Sequence, residues 1–293
     1  MKKRNLYLNV IPVEEALDSY LSVVKKRVPL KTEIIPVAQA LGRVTVSAVY
    51  AKYNSPLYNS AAMDGVAVVS QKTKDACELK PLVLQKEDFL VVDTGDPVHE
   101  PFDAVIMAED LIETDDGGLQ ITEPAMSWQH IRPVGEDIVA HELILTSNHK
   151  IRPMDVGVLL SGGITEIEVY KQVNVAIFAT GTEIIEPDQN IADGVIIESN
   201  SRMFEGLVAE QGAKPFRLGI LQDDYALIRD NVREACEKFD VVIVNAGSSA
   251  GTEDFTVHVL RELGEVFVHG VAIKPGKPVI LAMVGDTPVV GLP

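Results

Sequence analysis

The sequence predicts an α/β protein: a three-layer α/β domain in its carboxyl-terminal part, a β-rich unit in its middle, and a linking α+β segment. Three observations carry this expectation. After Lys171, short β-branched runs alternate with helix-spaced segments, which is the pattern of strand–helix–strand units on a largely parallel sheet. Between Ala48 and Ile138, short strand-like runs are broken by clusters of Gly, Pro and Asp. Near the amino terminus stands one amphipathic helix, which needs another helix or a sheet face to cover its apolar stripe.

In chain order, the first element spans Val13 to Val28. It sets Val13, Ala16, Leu17, Tyr20, Leu21 and Val24 on one face, with Pro12 in the first turn and Pro29 as the stop. A boundary follows near Pro29. The middle unit has turn clusters at Asp93–Pro97, Asp115–Gly118 and Pro124. From His141 to Tyr170 the expected elements are a strand at Leu143–Leu145, a short helix after Pro153 carrying Val156, Leu159 and Leu160, and a strand after Gly162-Gly163. The strand VNVAIFA (Val173–Ala179) opens the α/β region. A helix runs from Asn200, the expected N-cap, to Gly212, the expected residue just past its end. The strand FRLGIL from Phe216 leads to a helix opened by Asp223 and Asp224, which carries Leu227, Ile228, Val232, Ala235 and Phe239 inward. Strand VVIVN (Val241–Asn245), a helix after Asp254 and strands VFVHGVAI and PVILAMV complete the region.

Bulk properties narrow the function classes. At 293 residues the chain exceeds one ordinary core, and a hydrophobic content of 46% is ample for packing two or three. A net charge of −17 argues against nonspecific nucleic-acid binding and against anionic membrane surfaces. No apolar run approaches the ~20 residues that span a bilayer. The basic start MKKR is not followed by an uninterrupted apolar stretch, because Asn9, Glu14 and Glu15 intervene, so a signal peptide is not expected. Cys77 and Cys236 fall in different predicted domains, which suggests reduced thiols and a cytoplasmic setting. The six histidines lack ligand spacing such as HxxxH, and structural zinc is not expected.

The densest chemistry lies between Val241 and Pro278. A buried-strand run ends in the small-residue loop Ala246–Gly251, where Gly247, Ser248, Ser249 and Gly251 leave backbone N–H groups open to an anion. Glu253 and Asp254 follow, and then KPGKP presents Lys274 and Lys277 from a turn that cannot be helical. Carboxylates beside lysines suggest a divalent cation and a phosphate sharing one site; taken alone, KPGKP is equally a solvated surface turn. Thr180, Gly181 and Glu183 end another strand. Glu183 reads as a metal ligand or a base for water, or else as a solvated loop carboxylate. Asp223 and Asp224 also follow a strand, where helix capping competes with a catalytic role. Neither a GxxxxGK[ST] loop nor a GxGxxG fingerprint occurs, which weakens a kinase or dehydrogenase reading.

Further motifs give these features a shared context: YNSAAMDGVAVV from Tyr58, VDTGDPV from Val92, RPVGEDI from Arg132 and VAIFATGTEIIEP from Val175. Together with the AGSSAG loop, KPGKP and a terminal Gly291-Leu292-Pro293, these resemble the MoeA/gephyrin E-domain family of molybdopterin molybdenumtransferases, in the family's order and over nearly the whole chain. The family's usual forms are NSAMDGYA, TGxPVP, RxxGEDI, STGDEL, SGGVSxGxxD, KPGKP and GLPGNP. Here the first motif carries an extra alanine (Ala61, Ala62) and Val66 in place of tyrosine, and the loop reads NAGSSAGTED. The family continues from GLPGNP into a helical segment and a small β domain, or in some relatives into a domain like periplasmic ligand-binding proteins.

The resemblance implies that the first helix rejoins the later residues. Residues 1–28 and 171–293 would form a molybdopterin-binding-type α/β domain, 29–50 and 140–170 a linking domain, and 51–139 an inserted β-rich domain. It implies insertion of molybdate into adenylylated molybdopterin, with AMP released and Mg2+ present. Glu183 and Asp254 would hold the magnesium–phosphate unit. Lys274 and Lys277 would neutralise anionic charge, and Thr94, Thr180, Gly181, Asp223 and Asp224 would line the substrate. Asp137 would belong to the site, and Asp64 would reach it across a homodimer interface. Molybdopterin adenylyltransferase would be a possible partner. The second reading is a catalytically weak pterin- or molybdate-binding sensor or scaffold.

Overall fold

The computed structural model describes residues 10–245 and 255–293. The chain divides into two compact units, one of Met1–Thr32 with Tyr170–Pro293 and one of Glu33–Val169. The first unit contains helices α1 (Val13–Arg27), α2 (Asn200–Glu210), α3 (Tyr225–Lys238) and α4 (Thr256–Leu263), with strands β1 (Asn174–Thr180), β2 (Lys214–Leu221), β3 (Val241–Asn245), β4 (Glu265–His269), β5 (Ile280–Val284) and β6 (Thr287–Leu292). The strands form one sheet in the order β2-β1-β3-β6-β5-β4.

The first four strands in that order run parallel; β5 is reversed, antiparallel to β6 on one side and to the edge strand β4 on the other, so β4 runs with the first four. Strands covered on both faces read as continuous apolar runs, and β1 does so from Val175 to Ala179, all buried. Alternate side chains serve opposite layers. Ala176, Phe178, Ile280 and Ala282 join Ile228, Val232 and Leu260 of α3 and α4, whereas Leu281 and Met283 join Ala16 and Tyr20 of α1. Helix α2 lies against β1 and β2. Burial raises the Tyr20 hydroxyl pKa, and that hydroxyl donates to Ala282 O at 2.8 Å, so the ring's polar end is satisfied inside the layer.

Four sequence expectations change. Leu17 and Leu21 are 46% and 43% exposed, because the buried stripe of α1 centres on Ala16 and Tyr20. The run VFVHGVAI is not one strand: β4 stops at His269, where Gly270 (φ +114°) turns the chain, and Val271 pairs instead with Ile11. Asn200 is the first helical residue rather than the cap. The Glu198 carboxylate takes the capping role by accepting the Ser201 N–H at 2.6 Å. The strand β6 was not anticipated, although it is central and parallel to β3.

In Glu33–Val169 one core gathers Val37, Leu145, Ile151, Leu159, Ile167 and Val169 around the helix Pro153–Ser161. Asp155 caps that helix, accepting from Arg152 N at 2.8 Å, and its side-chain bonds to Arg152 and His149 hold its carboxyl well below the usual range. The β-rich part centres on Gly65–Val68, paired antiparallel with Phe89–Val92 on one side and Ala104–Met107 on the other. Val66 and Val68 face one cluster with Ile106 and Ile121, and Ala67 faces another with Val92, Val98 and Val105. Hence the run GVAV is apolar at every position.

Candidate active site

In the α/β unit the strand register decides which loops share an edge. Thr180 pairs with Leu221, Ala179 with Asn245, and Asn245 with Leu292. Because β5 and β4 run antiparallel, their pairs Ile280↔Gly291 and His269↔Ile280 bring the loop between β4 and β5 to this edge as well. The loops holding Thr182–Glu183, Asp223–Asp224 and Lys274–Lys277 therefore meet at the carboxyl ends of the parallel strands, the usual place for ligands in such sheets. Asn245 ties two of these ends together, donating from Nδ2 to Leu292 O at 3.2 Å.

At the end of β1, Thr180 is buried, and the Gly181 N–H is committed to Leu221 O at 3.0 Å. Both residues are thus buried at the end of β1, at positions the resemblance implies line the substrate. Gly181 stands at φ +156°, a conformation L side chains rarely adopt, and a Cβ there would also press on the movable tip of Ile184 at 2.7 Å. Glu183 is exposed, and its main-chain oxygen accepts from Ile196 N at 2.8 Å. That bond belongs to a small parallel ladder of Ile184–Ile185 with Ile196–Ile197.

A charge cluster that sequence reasoning missed secures this ladder. Glu186 meets Arg217 at 2.8 Å and Arg202 at 3.0 Å, bonds that hold its carboxyl below the ordinary range. Glu198, buried, also meets Arg202 at 3.3 Å. The partners of Glu186 lie on β2 and α2, too far along the chain for a spacing rule to pair them, whereas Glu198 and Arg202 are four residues apart.

Asp224 is the N-cap of α3 and accepts the Leu227 N–H at 2.8 Å, while Asp223 is half-buried beside it. Lys274 and Lys277 are exposed on a turn closed by Gly270 N→Val279 O at 2.9 Å and Val271 N→Lys277 O at 2.8 Å. Gly276 sits there at φ +100°, a conformation glycine adopts without strain. Gly247, Ser248, Ser249, Gly251 and Asp254 lie outside the described residues. Among the described residues no group of three or more His, Cys, Asp or Glu is arranged to hold a metal ion. Glu183 is a hard oxygen donor of the kind magnesium takes, and the two lysines are point charges of the kind a phosphate takes.

In Glu33–Val169 three motifs converge on one exposed surface. The Asp64 Oδ1 accepts from both the Thr94 hydroxyl and the Thr94 N–H at 2.7 Å, and these two bonds lower the pKa of its carboxyl. Gly95 N donates to Ala61 O, and Ala62 N to His130 O. Arg132 pairs with Ser60 across a short ladder and holds Asp137 at 2.6 Å and Glu136 at 2.8 Å. Sequence alone offered no reason to join Asp64 with Thr94, or Asp137 with Arg132.

Two family profiles match in order. Residues 11–163 match the "MoeA N-terminal region (domain I and II)", and residues 176–293 match a "probable molybdopterin binding domain". The chain belongs to the MoeA family. Among relatives of this MoeA-family chain, a Methanocaldococcus jannaschii protein named for molybdopterin biosynthesis is 32% identical over 293 residues, covering 94% of this chain and 72% of its own length. The molybdopterin molybdenumtransferase of Haemophilus influenzae is 29% identical over 279 residues, covering 90% and 68%. Two crystal structures of molybdopterin biosynthesis MoeA protein from Pyrococcus horikoshii give TM-scores of 0.78 and 0.73 at 29% and 27% identity. They cover 97% of this chain and 75% and 74% of theirs.

Proposed function

We propose that the chain is a molybdopterin molybdenumtransferase of molybdenum cofactor biosynthesis, inserting molybdate into adenylylated molybdopterin with release of AMP. The observation that carries this reading is the ordered match of both MoeA-family profiles, 11–163 and 176–293, alongside relatives named for the activity. The edge geometry supports it: one exposed carboxylate and two exposed ammonium groups stand on loops that a single sheet edge gathers.

In this reading Lys274 and Lys277 attract and neutralise the substrate's phosphate or the molybdate oxyanion, as point charges on a stiff turn. Glu183, with Asp254, would hold Mg2+, which supplies charge neutralisation on phosphate oxygens when bound. Asp224 orders the start of α3 through its cap, and Asp223 stands beside it as a substrate contact. Gly247, Ser248, Ser249 and Gly251 would offer hydrogen bonds to anionic oxygens. Asp64, oriented by Thr94, and Asp137, oriented by Arg132, would serve the site of a homodimer, with Asp64 arriving from the partner subunit. The free Cys77 and Cys236 suit a reducing cytoplasm, where molybdopterin adenylyltransferase would supply the substrate.

The departure of NAGSSAGTED from the family's SGGVSxG form favours one second reading, a catalytically weak pterin- or molybdate-binding sensor or scaffold. Cells lacking their own molybdenumtransferase separate the two. Restored activity of a molybdenum enzyme on expressing this chain supports the transferase, and stable expression without restoration supports the sensor.

A further inference from the structure

The β-rich part of Glu33–Val169 contains a cavity of about 420 Å³ that no feature of the transferase reading uses. It is lined by aromatic and apolar groups, including Phe102, Trp128 and Ile131, and by two carboxylates, Glu100 and Asp103. None of its lining residues is basic. Its size falls within the range of small-ligand pockets, roughly 300–1,000 Å³.

Both kinds of lining are built rather than incidental. Asp103 is braced by Ser70, whose N–H and hydroxyl each donate to the carboxylate at 2.7 Å. Burial pushes this carboxyl up, but the bonds from Ser70 and Ser127 prevail and keep it below the ordinary range. Trp128 stays 55% exposed and stands at φ +66°, a left-handed conformation unfavourable for a bulky side chain. The surrounding backbone imposes it. Trp128 N donates to Asp103 O at 2.6 Å, Gln129 O accepts from Val105 N, and Gln129 N donates to Met126 O. An indole held half in water by a strained backbone, in a cavity lined by two carboxylates and no basic residue, matches the elements that receive positive charge: a negative field plus an aromatic face.

We propose that this cavity binds an organic cation with an apolar stem, a primary ammonium or guanidinium group received by Glu100, Asp103 and the Trp128 ring. The stem is met by Phe102 and Ile131. The same chemistry comes either from a free amine or from a lysine or arginine side chain of another protein.

Trp128 is the chain's single tryptophan, so its fluorescence reports the site directly. The full chain is titrated with butylammonium and butylguanidinium, with 1-butanol as the neutral analogue, and with an otherwise uncharged decapeptide carrying one central lysine. The expected result is a saturable fluorescence change with the cations and none with butanol. Glu100→Gln should weaken binding up to about fivefold, the worth of one solvent-exposed charge pair. Trp128→Phe, followed by calorimetry, should weaken it by about twofold or more. Glu100 is exposed, so its variant tests the idea even if Asp103→Asn fails to fold. A peptide much tighter than butylammonium assigns the site to a partner's side chain, and equal affinities assign it to a free amine; both uphold the proposal. No saturable change, an equal response to butanol, or unaltered cation affinity in Glu100→Gln and Trp128→Phe would overturn it.

Discussion

Gly65 follows Asp64 and sits in the central strand of the β-rich sheet, paired with Val92 on one side and Met107 on the other. A Cβ at this position would lie 2.0 Å from Ile106 O and 2.9 Å from Ala108 N. Real Cβ atoms keep 3.0 Å or more, so in Gly65→Ala the neighbouring backbone must retreat by about 1 Å in a close-packed interior. Ala104 and Val105 of that strand are fully buried, and Ala108 N donates to Asp64 O at 2.9 Å, so the retreat cannot stay local. Losing two or three ladder hydrogen bonds at about 1 kcal/mol each, with loosened packing, gives about 3 kcal/mol or more. Trp128 fluorescence during urea unfolding reads this unit, since Trp128 N donates to Asp103 O, next to the strand Ala104–Met107, and Gln129 O accepts from Val105 N within it. A stability loss below about 1 kcal/mol would refute the steric argument, whose scale is that of a severe core defect.

Three other outcomes follow from named contacts. Asp224→Ala should cost about 1 kcal/mol of stability by exposing the Leu227 N–H, while Asp224→Ser retains most of it; a stable Ala variant that loses turnover would make Asp224 a ligand instead. In Thr94→Val the Asp64 carboxyl should titrate closer to the usual value, because the hydroxyl bond is lost and the N–H bond kept. Its folded pKa is depressed, so the stabilisation it carries is present above the unfolded pKa and fades as pH falls through the folded one; an unmoved NMR titration in the variant would contradict this. Lys274→Ala and Lys277→Ala should each weaken binding of adenylylated molybdopterin, with the difference shrinking as salt rises, and equal affinities at low salt would reduce KPGKP to a turn.

Much of the fold was readable because local rules and packing agree. The α3 face with Ile228, Val232 and Ala235, the buried run of β1 and the Pro-bounded α1 each carry their own period. The strand β6 escaped because Thr287–Leu292 carries Pro288 and Gly291, residues that argue against a central strand. The reversed direction of β5 has no local signature either. In the site, loop chemistry was visible at Glu183, Lys274 and Lys277, and the strand-end rule already put Glu183 and Asp223–Asp224 at one edge; that the lysine turn joins them was not visible, because it depends on the reversal of β5. The Glu186–Arg217–Arg202 cluster, Thr94 on Asp64 and Arg132 on Asp137 are long-range or loop-conformation pairings of common residues. The Asp224 cap shows the opposite case, where the plain local rule described the contact.

The central claim is turnover. Purified chain is incubated with adenylylated molybdopterin, Mg2+ and molybdate, and AMP is measured with and without the oxyanion. The account predicts AMP release that requires molybdate and the chain, and that falls sharply in Glu183→Gln. Tight binding of adenylylated molybdopterin with no molybdate-dependent AMP release would contradict it and leave a binding protein in its place.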